Sequence, residues 1–451
     1  MLYKMAVENS AFSLDDSMTE STRLVLKERN DGIIDKRPRK VSHTRKLVVM
    51  VAGLVQQFVS VGLGFGLSIM YVELIAVFDA KRSDAALIQG LYLGLAVGTG
   101  IVLTGVIKKV GPGPTIIVGS IVACIGLFTS SFAQNLSTII GLTGVVAGLG
   151  MSTCYLSAFI SISWIFHEDP GFPLVCLTIG SSLGQFVIPF LYEYFISEYH
   201  WSGAFILVSG IALQCIPFGV IIYTSREYFV KSDLNNDDRK DSSTCEGYTV
   251  LLKDIVLWIL LFDFLIIALS GNVEAWFIVD IMTSRGYTRE SGSILVSALG
   301  FANFIGRVSG STLRFKCTKI PTVYHWLWLC PVIAFGHILV INVVGYWGVF
   351  AACILQGAAF GMNNSQTPTI MFEASGLARY PQAMSMVNLM YGIGNLFSNV
   401  IGGVIRDSFG QYDIAYYIAA GVTILITFNS AIVSCILHRR RRREVQYDSL
   451  K

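Results

Sequence analysis

The sequence predicts an all-α membrane protein with twelve transmembrane helices arranged as two six-helix bundles. Of its 451 residues, 53% are hydrophobic and only 14% are charged, which is too apolar for a soluble protein of this size. From Leu47 onward, apolar runs of roughly 20 to 28 residues recur, and each can cross about 30 Å of hydrocarbon as a helix. One sizeable polar stretch divides these runs into two groups of six.

The predicted domains follow from where the apolar runs begin and end. The first bundle, residues 47–224, contains the spans 47–76, 85–107, 115–133, 136–165, 172–196 and 202–224. The second bundle, residues 255–437, contains the spans 255–281, 291–313, 322–344, 346–372, 381–405 and 413–437. Residues 225–254 form a polar cytosolic linker, and residues 438–451 form a basic cytosolic tail. Residues 1–46 are polar and have no apolar signal-peptide core, so they are predicted to be a disordered cytosolic tail.

Lysine and arginine predict the orientation. Lys108 and Lys109 follow the second span and Arg439 to Arg443 follow the twelfth, so with both termini in the cytosol these clusters all lie on the cytosolic side. The protein is therefore expected to be a multi-pass protein of the plasma membrane, with its basic C-terminus against anionic lipids. A net charge of only +3 gives no indication of nucleic-acid binding.

Nothing in the sequence indicates catalysis or a cofactor. The nine cysteines include no C-x-x-C pair, so neither a metal site nor a disulfide framework is expected, and no glycine-rich loop suited to a nucleotide is present. Gly180–Gly184 (G-S-S-L-G) matches a serine-hydrolase motif, but it lies within an apolar helix. We expect it to pack helices closely, as do Gly90, Gly94 and Gly98.

Two charged residues lie deep in predicted spans. Arg307 is placed within an apolar, glycine-rich segment, where an arginine is costly unless it faces a cavity or a partner. Its fork of donors matches a carboxylate, and Asn303 lies one turn earlier on the same helix face. The alternative is a structural arginine that reaches backbone carbonyls or the cytosolic interface.

Asp263, in the seventh span, lies at a depth close to that estimated for Arg307. It is a candidate for coupling through a pair with Arg307, or else a carboxylate capped by polar groups within one bundle. Glu274 and Asp280 are further along the same span and are expected to reach water at its outer end.

Several stretches resemble one known family. They are Tyr71–Leu74, Phe78–Ser83, Tyr199–Ala204, Gly300–Arg307 and Gly392–Leu396 with its continuation to Asp407–Asp413. Through these stretches the chain resembles the monocarboxylate transporter branch of the major facilitator superfamily, and the resemblance covers essentially all twelve spans. The resemblance implies the major facilitator fold and a secondary transporter that moves a small organic anion or related polar metabolite by alternating access. It also implies that a single-span glycoprotein can accompany the protein.

The resemblance also implies where the anion binds. Arg307 and Asn303 are the principal candidates for substrate binding, with Tyr391 and Asn395 as further candidates. The family's lysine in the first span aligns with Phe65, and its aspartate before the arginine aligns with Asn303, which has no titratable proton. These departures favour a facilitator over a proton symporter. The alternative function is a non-transporting receptor or sensor on the same fold.

Overall fold

The computed structural model describes residues 41–167, 171–229, 251–316, 321–375 and 380–448, and every regular element in these ranges is helical. Most of the predicted N-terminal tail and linker, together with the last residues of the basic tail, lie outside the described residues. The helices of the first half are α1 (His43–Phe78), α2a (Arg82–Gly98), α2b (Gly100–Val110), α3 (Pro112–Ser130), α4 (Leu136–Ile165), α5 (171–199), α6a (201–213) and α6b (Cys215–Thr224). Those of the second half are α7a (Ile255–Ser270), α7b (Val273–Ser284), α8 (Arg289–Lys316), α9 (Trp326–Asn342), α10a (Tyr346–Ser365), α10b (Thr367–Ser375), α11 (Tyr380–Phe409) and α12 (Asp413–Asp448).

When each a/b pair is counted as one helix, the twelve helices correspond one to one with the twelve predicted spans. Within the described chain, eight helices are long and apolar enough to cross a membrane, or nine when the bent pair α2a and α2b is taken as one span. The 53-residue run Phe172–Thr224 is one of them, and it holds two predicted spans because His200 breaks it with a left-handed φ of 58°. α10 and α11 complete the twelve, because the polar residues that they carry lower their hydropathy.

Besides the breaks in α6 at Gln214 and in α10 at Gln366, three helices are irregular. α2 bends by 50° at Thr99, between two glycines, and the Thr99 hydroxyl donates to the Leu95 carbonyl, a bond that favours bending. α4 contains π-helical turns over Ile140–Ala147. α7 is broken between Ser270 and Val273, where Gly271 lies so close to the Phe360 ring that a Cβ would be 2.0 Å from it.

Two helices extend past their predicted ends. α1 begins at His43, four residues before the predicted start of the first span. α12 runs to Asp448, well beyond residue 437, because no glycine or proline follows to stop it.

The glycines of the serine-hydrolase-like motif pack helices, as predicted. A Cβ on Gly184 would lie 2.3 Å from the Phe58 carbonyl oxygen of α1, and one on Gly180 would lie 2.4 Å from the Leu54 carbonyl oxygen. The absence of side chains therefore lets α1 and α5 touch backbone to backbone. The serines between these glycines lie within this helix, which is the wrong context for a nucleophile.

The α1–α5 crossing lies within the first half, whereas two other close crossings join the first half to the second. A Cβ on Gly392 of α11 would lie 2.4 Å from the Cα of Gly98 in α2a. A Cβ on Gly300 of α8 would lie 2.6 Å from the backbone carbon of Gln185 in α5. The pairs α2–α11 and α5–α8 thus hold the halves together on either side of a central cavity.

Candidate functional site

A cavity of about 140 Å³ lies between the two halves, roughly ten times the space that one water needs. Its lining comes from α1, α2, α4 and α5 of the first half and from α7, α8, α10 and α11 of the second. Among the described residues, the other four helices contribute nothing to it. Side chains from both halves therefore face one space.

The lining combines carboxamides, aromatic rings and one charge. Seven of its 22 residues are asparagine or glutamine, six are aromatic, and Arg307 alone carries a formal charge. No carboxylate is present among the described lining residues. The cavity is thus suited to a ligand with a single negative charge, because Arg307 is its one full counter-charge.

Arg307 and Asn303 contact each other, as the sequence predicts for residues one turn apart. The Arg307 Nε donates to the Asn303 Oδ1 over 2.8 Å, and both side chains line the cavity. Because a guanidinium nitrogen can only donate, the amide oxygen must face it, and the Asn303 NH₂ group is left for other acceptors. The pair orients the guanidinium without adding a negative charge beside it.

Tyr391 and Asn395, the two further candidates, also line this cavity. The Tyr391 hydroxyl donates to the Asn364 Oδ1 over 2.8 Å, and Tyr155 lines the same cavity. The Asn395 Oδ1 accepts a long hydrogen bond of 3.4 Å from the Asn272 Nδ2. All four predicted binding residues are thus brought to one space, although their roles remain predictions.

Asp263 is placed elsewhere. Its Oδ1 accepts from the Asn429 Nδ2 over 2.6 Å, its other oxygen has no partner among the described residues, and it does not line the cavity. Of the two alternatives for this residue, the contacts match a carboxylate capped by a polar group within the second half.

The expectation that Glu274 and Asp280 reach water is wrong. Their exposed fractions are 1% and 4%. The Glu274 Oε1 lies 2.6 Å from the His337 Nδ1 of α9, and Asp280 accepts from Arg82 of α2a over 2.8 Å. α7 continues past its break as α7b, so both carboxylates face protein and each finds a partner there.

Sequence reasoning missed a polar stripe on α5. Thr178, Ser181 and Gln185 all line the cavity, and their i, i+3, i+7 spacing puts them on one helix face. The same spacing joins Asn388, Tyr391 and Asn395 on α11. Polar residues recurring at helical spacing within an apolar span were the available signal.

Ion pairs join the two halves beyond one end of the cavity, which we call the distal end: the end at which α1 stops and α2 begins. There the Arg289 guanidinium of α8 bonds both Glu73 of α1 and Glu193 of α5. One arginine of the second half thus joins two carboxylates of the first. We call the Arg289, Glu73 and Glu193 cluster the distal clasp.

A second cluster closes the distal end beside the clasp. The Tyr412 hydroxyl donates to Asp280 over 2.7 Å, so Arg82 and Tyr412 share this carboxylate. The Asp407 carboxylate of α11 accepts from the backbone N–H groups of Arg82 and Ser83. These are orphan donors at the N-terminus of α2a, where a negative charge is favourable.

The described residues include no group of three or more His, Cys, Asp or Glu side chains that could hold a metal ion. The lining offers hydrogen-bond donors, rings and one cation, which can bind and orient an anion. Its described residues bring no nucleophile and base together.

Comparisons with known proteins agree with this architecture. The profile described as Major Facilitator Superfamily matches residues 53–376 and 323–449. The chain is 24% identical to "Monocarboxylate transporter 4" of Gallus gallus over 357 residues, which is 78% of this chain and 75% of that protein. It is also 24% identical to "Monocarboxylate transporter 1" of Mus musculus over 408 residues, 83% of this chain and 82% of that one.

Solved structures share the fold at low identity. The nucleoside transporter NupG, solved as a point mutant, matches with a TM-score of 0.64 and 12% identity, covering 86% of this chain and 99% of that one. The E. coli fucose:proton symporter FucP, also a point mutant, matches with a TM-score of 0.59 and 16% identity, covering 86% and 98%. The predicted fold class is thereby confirmed, and the family profile with the named relatives confirms the prediction of a non-enzymatic protein. With the family profile matching most of its length, the chain belongs to the major facilitator superfamily of secondary membrane transporters.

Proposed function

We propose that this transporter moves a small organic anion of the monocarboxylate type, bound through its carboxylate at Arg307. The observation that carries the proposal is the position of Arg307, the one formal charge among the described lining residues of a cavity between the two halves. A guanidinium held there offers paired donors to a carboxylate. Asn303, Tyr391 and Asn395 supply neutral polar contacts around it.

The relatives support the substrate class. Those cited above are named as monocarboxylate transporters, and an arginine-centred anion site agrees with that name. The two departures noted in the sequence, Phe65 and Asn303, both line the cavity. They alter its charge while leaving Arg307 in place.

The proposed mode of transport is facilitation. Asn303 cannot take up a proton, and Asp263 bonds to Asn429 outside the cavity lining. Neither residue offers a carboxylate that could hold Arg307 in the absence of substrate and release it on protonation. Flux should therefore follow the substrate gradient.

Alternating access would proceed by separation of the two halves at the distal end as they close at the other. We further propose that both termini are cytosolic, because the basic clusters follow the positive-inside rule, and that the membrane is the plasma membrane. The described conformation is then closed toward the outside. A single-span glycoprotein partner and anionic lipids at the C-terminus belong to the same proposal.

Replacing Arg307 tests the site. Arg307→Ala should reduce organic-anion uptake into proteoliposomes at least about tenfold, and Arg307→Lys should restore little of it because a point charge cannot reproduce the fork. The matched control is Arg285→Ala, which removes an arginine bonded to the Ile341 and Val343 carbonyls away from the cavity. Normal uptake by Arg307→Ala at equal reconstitution would remove this residue from the site.

The same preparation separates a transporter from a receptor or sensor. An anion that stabilises the purified protein against heat binds its native state. Arg307-dependent stabilisation without any uptake into vesicles would identify a receptor, whereas both together support transport.

A further inference from the structure

Arg307 and Phe65 both line the cavity, but at different depths. Arg307 is about 27 Å along α8 from Arg289, and Phe65 is about 12 Å along α1 from Glu73. Because Arg289 and Glu73 are in contact, Phe65 lies about 15 Å nearer the distal end than the Arg307 backbone. Helical side chains lean toward the N-terminus of their helix, and the N-terminus of α8 is at the distal end. The Arg307 guanidinium is therefore closer to Phe65 in depth than the Arg307 backbone is.

The distal part of the cavity is aromatic. Phe65 and Trp276 are stacked with their ring centroids 5.2 Å apart and their planes at 19°, and both line the cavity. Phe65 is 8% exposed and Trp276 is 1% exposed, so the surface left for a ligand is chiefly that of Phe65. Ring surfaces of this kind favour a ligand ring in an offset or edge-on contact.

Two buried donors without a described partner belong to the cavity lining, one on Gln185 and one on the Trp276 ring itself. The Gln185 Nε2 and the Trp276 Nε1 have no partner among the described residues, although both side chains are 1% exposed and line the cavity. Gly300, about one turn distal to Asn303, touches the Gln185 backbone, which sets Gln185 at an intermediate depth. Unpaired buried donors are costly, and they are satisfied by oxygen acceptors on a ligand.

The same lining disfavours two other classes of acid. A second carboxylate would find no second cation among the described lining residues. An ammonium group would find no carboxylate among these residues and would lose its hydration beside Arg307. The described lining therefore favours a monoanion without a positive charge.

Building on the proposed function, we infer that the substrate is an aromatic monocarboxylate, with its carboxylate at Arg307 and its ring against Phe65 at the distal end. Neutral oxygen substituents along its length would accept from Gln185 and Trp276. Short acids can meet the guanidinium but cannot reach the rings.

The test is uptake of labelled phenylpropionate into proteoliposomes, in competition with unlabelled acids. Propionate keeps the charge without the ring, phenylsuccinate adds a second carboxylate, and L-phenylalanine adds an ammonium group. Phenylpropionate should compete at least about tenfold better than each of these. Phe65→Leu, which keeps an apolar side chain without the ring, should weaken competition by phenylpropionate about threefold to tenfold more than competition by propionate.

Two further variants separate the ring contact from general disruption. Trp276→Phe keeps a ring but removes the Nε1 donor, so it should lower competition by acids with a mid-chain keto oxygen more than competition by phenylpropionate. Phe132→Ala is the control, because Phe132 stacks edge-on with Phe128 at a comparable 5.4 Å but is 67% exposed on the outer surface. It should change neither acid.

The outcomes distinguish this inference from the proposed function. Arg307-dependent uptake in which propionate, phenylsuccinate or phenylalanine competes as well as phenylpropionate would overturn the aromatic assignment and leave the anion transporter standing. Equal loss of propionate and phenylpropionate in Phe65→Leu would also overturn it. Absence of uptake and of binding for every acid would overturn both.

Discussion

At the scale of single residues, the Arg307 and Asn303 pair defines the chemistry of the cavity. An aspartate at position 303 would form a charge-assisted bond with the guanidinium and compete with any anion. Asparagine accepts the same Nε–H bond at 2.8 Å but adds no negative charge. The asparagine thus orients the arginine in the same way whether or not protons are supplied.

Asn303→Asp is predicted to introduce proton dependence. In neutral buffer the new carboxylate should pair with Arg307 and reduce uptake, and uptake should recover as the pH falls because protonation releases the arginine. An inward proton gradient should then drive accumulation in Asn303→Asp and have little effect on the wild type. The measurement is vesicle uptake with and without the gradient.

Two controls accompany this prediction. Asn303→Ser stays neutral and should remain insensitive to the gradient. Asp263→Asn should leave the gradient response of the wild type unchanged. Strong proton-driven accumulation by the wild type would contradict the facilitator, and its loss in Asp263→Asn would assign the proton to that residue.

At the scale of helices, glycine crossings and a split helix set the positions of the site residues. α2 and α11 touch at Gly98 and Gly392, and α11 carries Tyr391 and Asn395 on its neighbouring turns. α7b is held by two buried carboxylates, Glu274 to His337 on α9 and Asp280 to Arg82 on α2a. The second of these reaches the other half, so α7b links the cavity wall to the distal closure.

Gly392→Ala is predicted to destabilise the protein. Its Cβ would lie 2.4 Å from the Gly98 Cα, so α2 and α11 must separate, at a cost of about 1–3 kcal/mol. Gly421→Ala is the matched control, since its helix position in α12 has nothing within 4 Å of the new Cβ, and alanine should be neutral or stabilising by up to about 1 kcal/mol. Thermal denaturation in detergent compares the two, and equal melting temperatures would refute a tight crossing.

At the scale of the whole molecule, the distal contacts hold the two halves in one arrangement. The distal clasp spans the halves with one arginine and two glutamates, and all three side chains are less than a quarter exposed. Such half-buried, charge-assisted bonds are stronger than fully exposed pairs. In the proposed alternating-access cycle, opening the distal end would break these bonds, so they would favour the distally closed state.

Arg289→Gln is predicted to shift the protein toward the distally open state. Loss of the clasp should remove roughly 1–3 kcal/mol from the closed state, which changes the population ratio about fivefold or more. A cysteine introduced at the lining residue Val61 should then react faster with an impermeant thiol reagent added from the distal side. The background is the same variant without this cysteine.

Arg285→Gln controls for removal of an arginine near the same end. Its guanidinium bonds only backbone carbonyls of the second half among the contacts described, so it should not alter the labelling rate. Equal labelling of Arg289→Gln and wild type would show that the clasp does not hold the distal end closed.

The twelve-helix arrangement also predicts topology. An epitope placed after Lys451 should be inaccessible to antibody in intact cells and accessible after permeabilisation, because both termini are expected in the cytosol. One placed between Tyr199 and Trp201, at the turn between α5 and α6, should be accessible without permeabilisation. The reverse pattern would place the distal end in the cytosol.

Local sequence determined the helices and the presence of one costly charge. Apolar runs long enough to span a membrane leave the backbone no alternative to helix, which is why all twelve spans were predictable, with end errors of several residues. Arg307 and Asn303 were predictable as neighbours because a helix places residues four apart on one face. The close helix crossings at Gly180–Gly184 and Gly90–Gly98 were also predictable, because glycines four residues apart lie on one helix face.

Only the tertiary structure decided which of these faces meet. Glu274 and Asp280 were expected in water, but their partners, His337 and Arg82, are 63 and 198 residues away in sequence, beyond any local pattern. Depth along a helix left Asp263 two alternatives, a pair with Arg307 or a polar cap within one bundle, and only the rotation of α7a toward Asn429 on α12 distinguishes them. The aromatic distal wall unites Phe65 and Trp276 from opposite halves, and such a juxtaposition depends on packing between helices that no single span encodes.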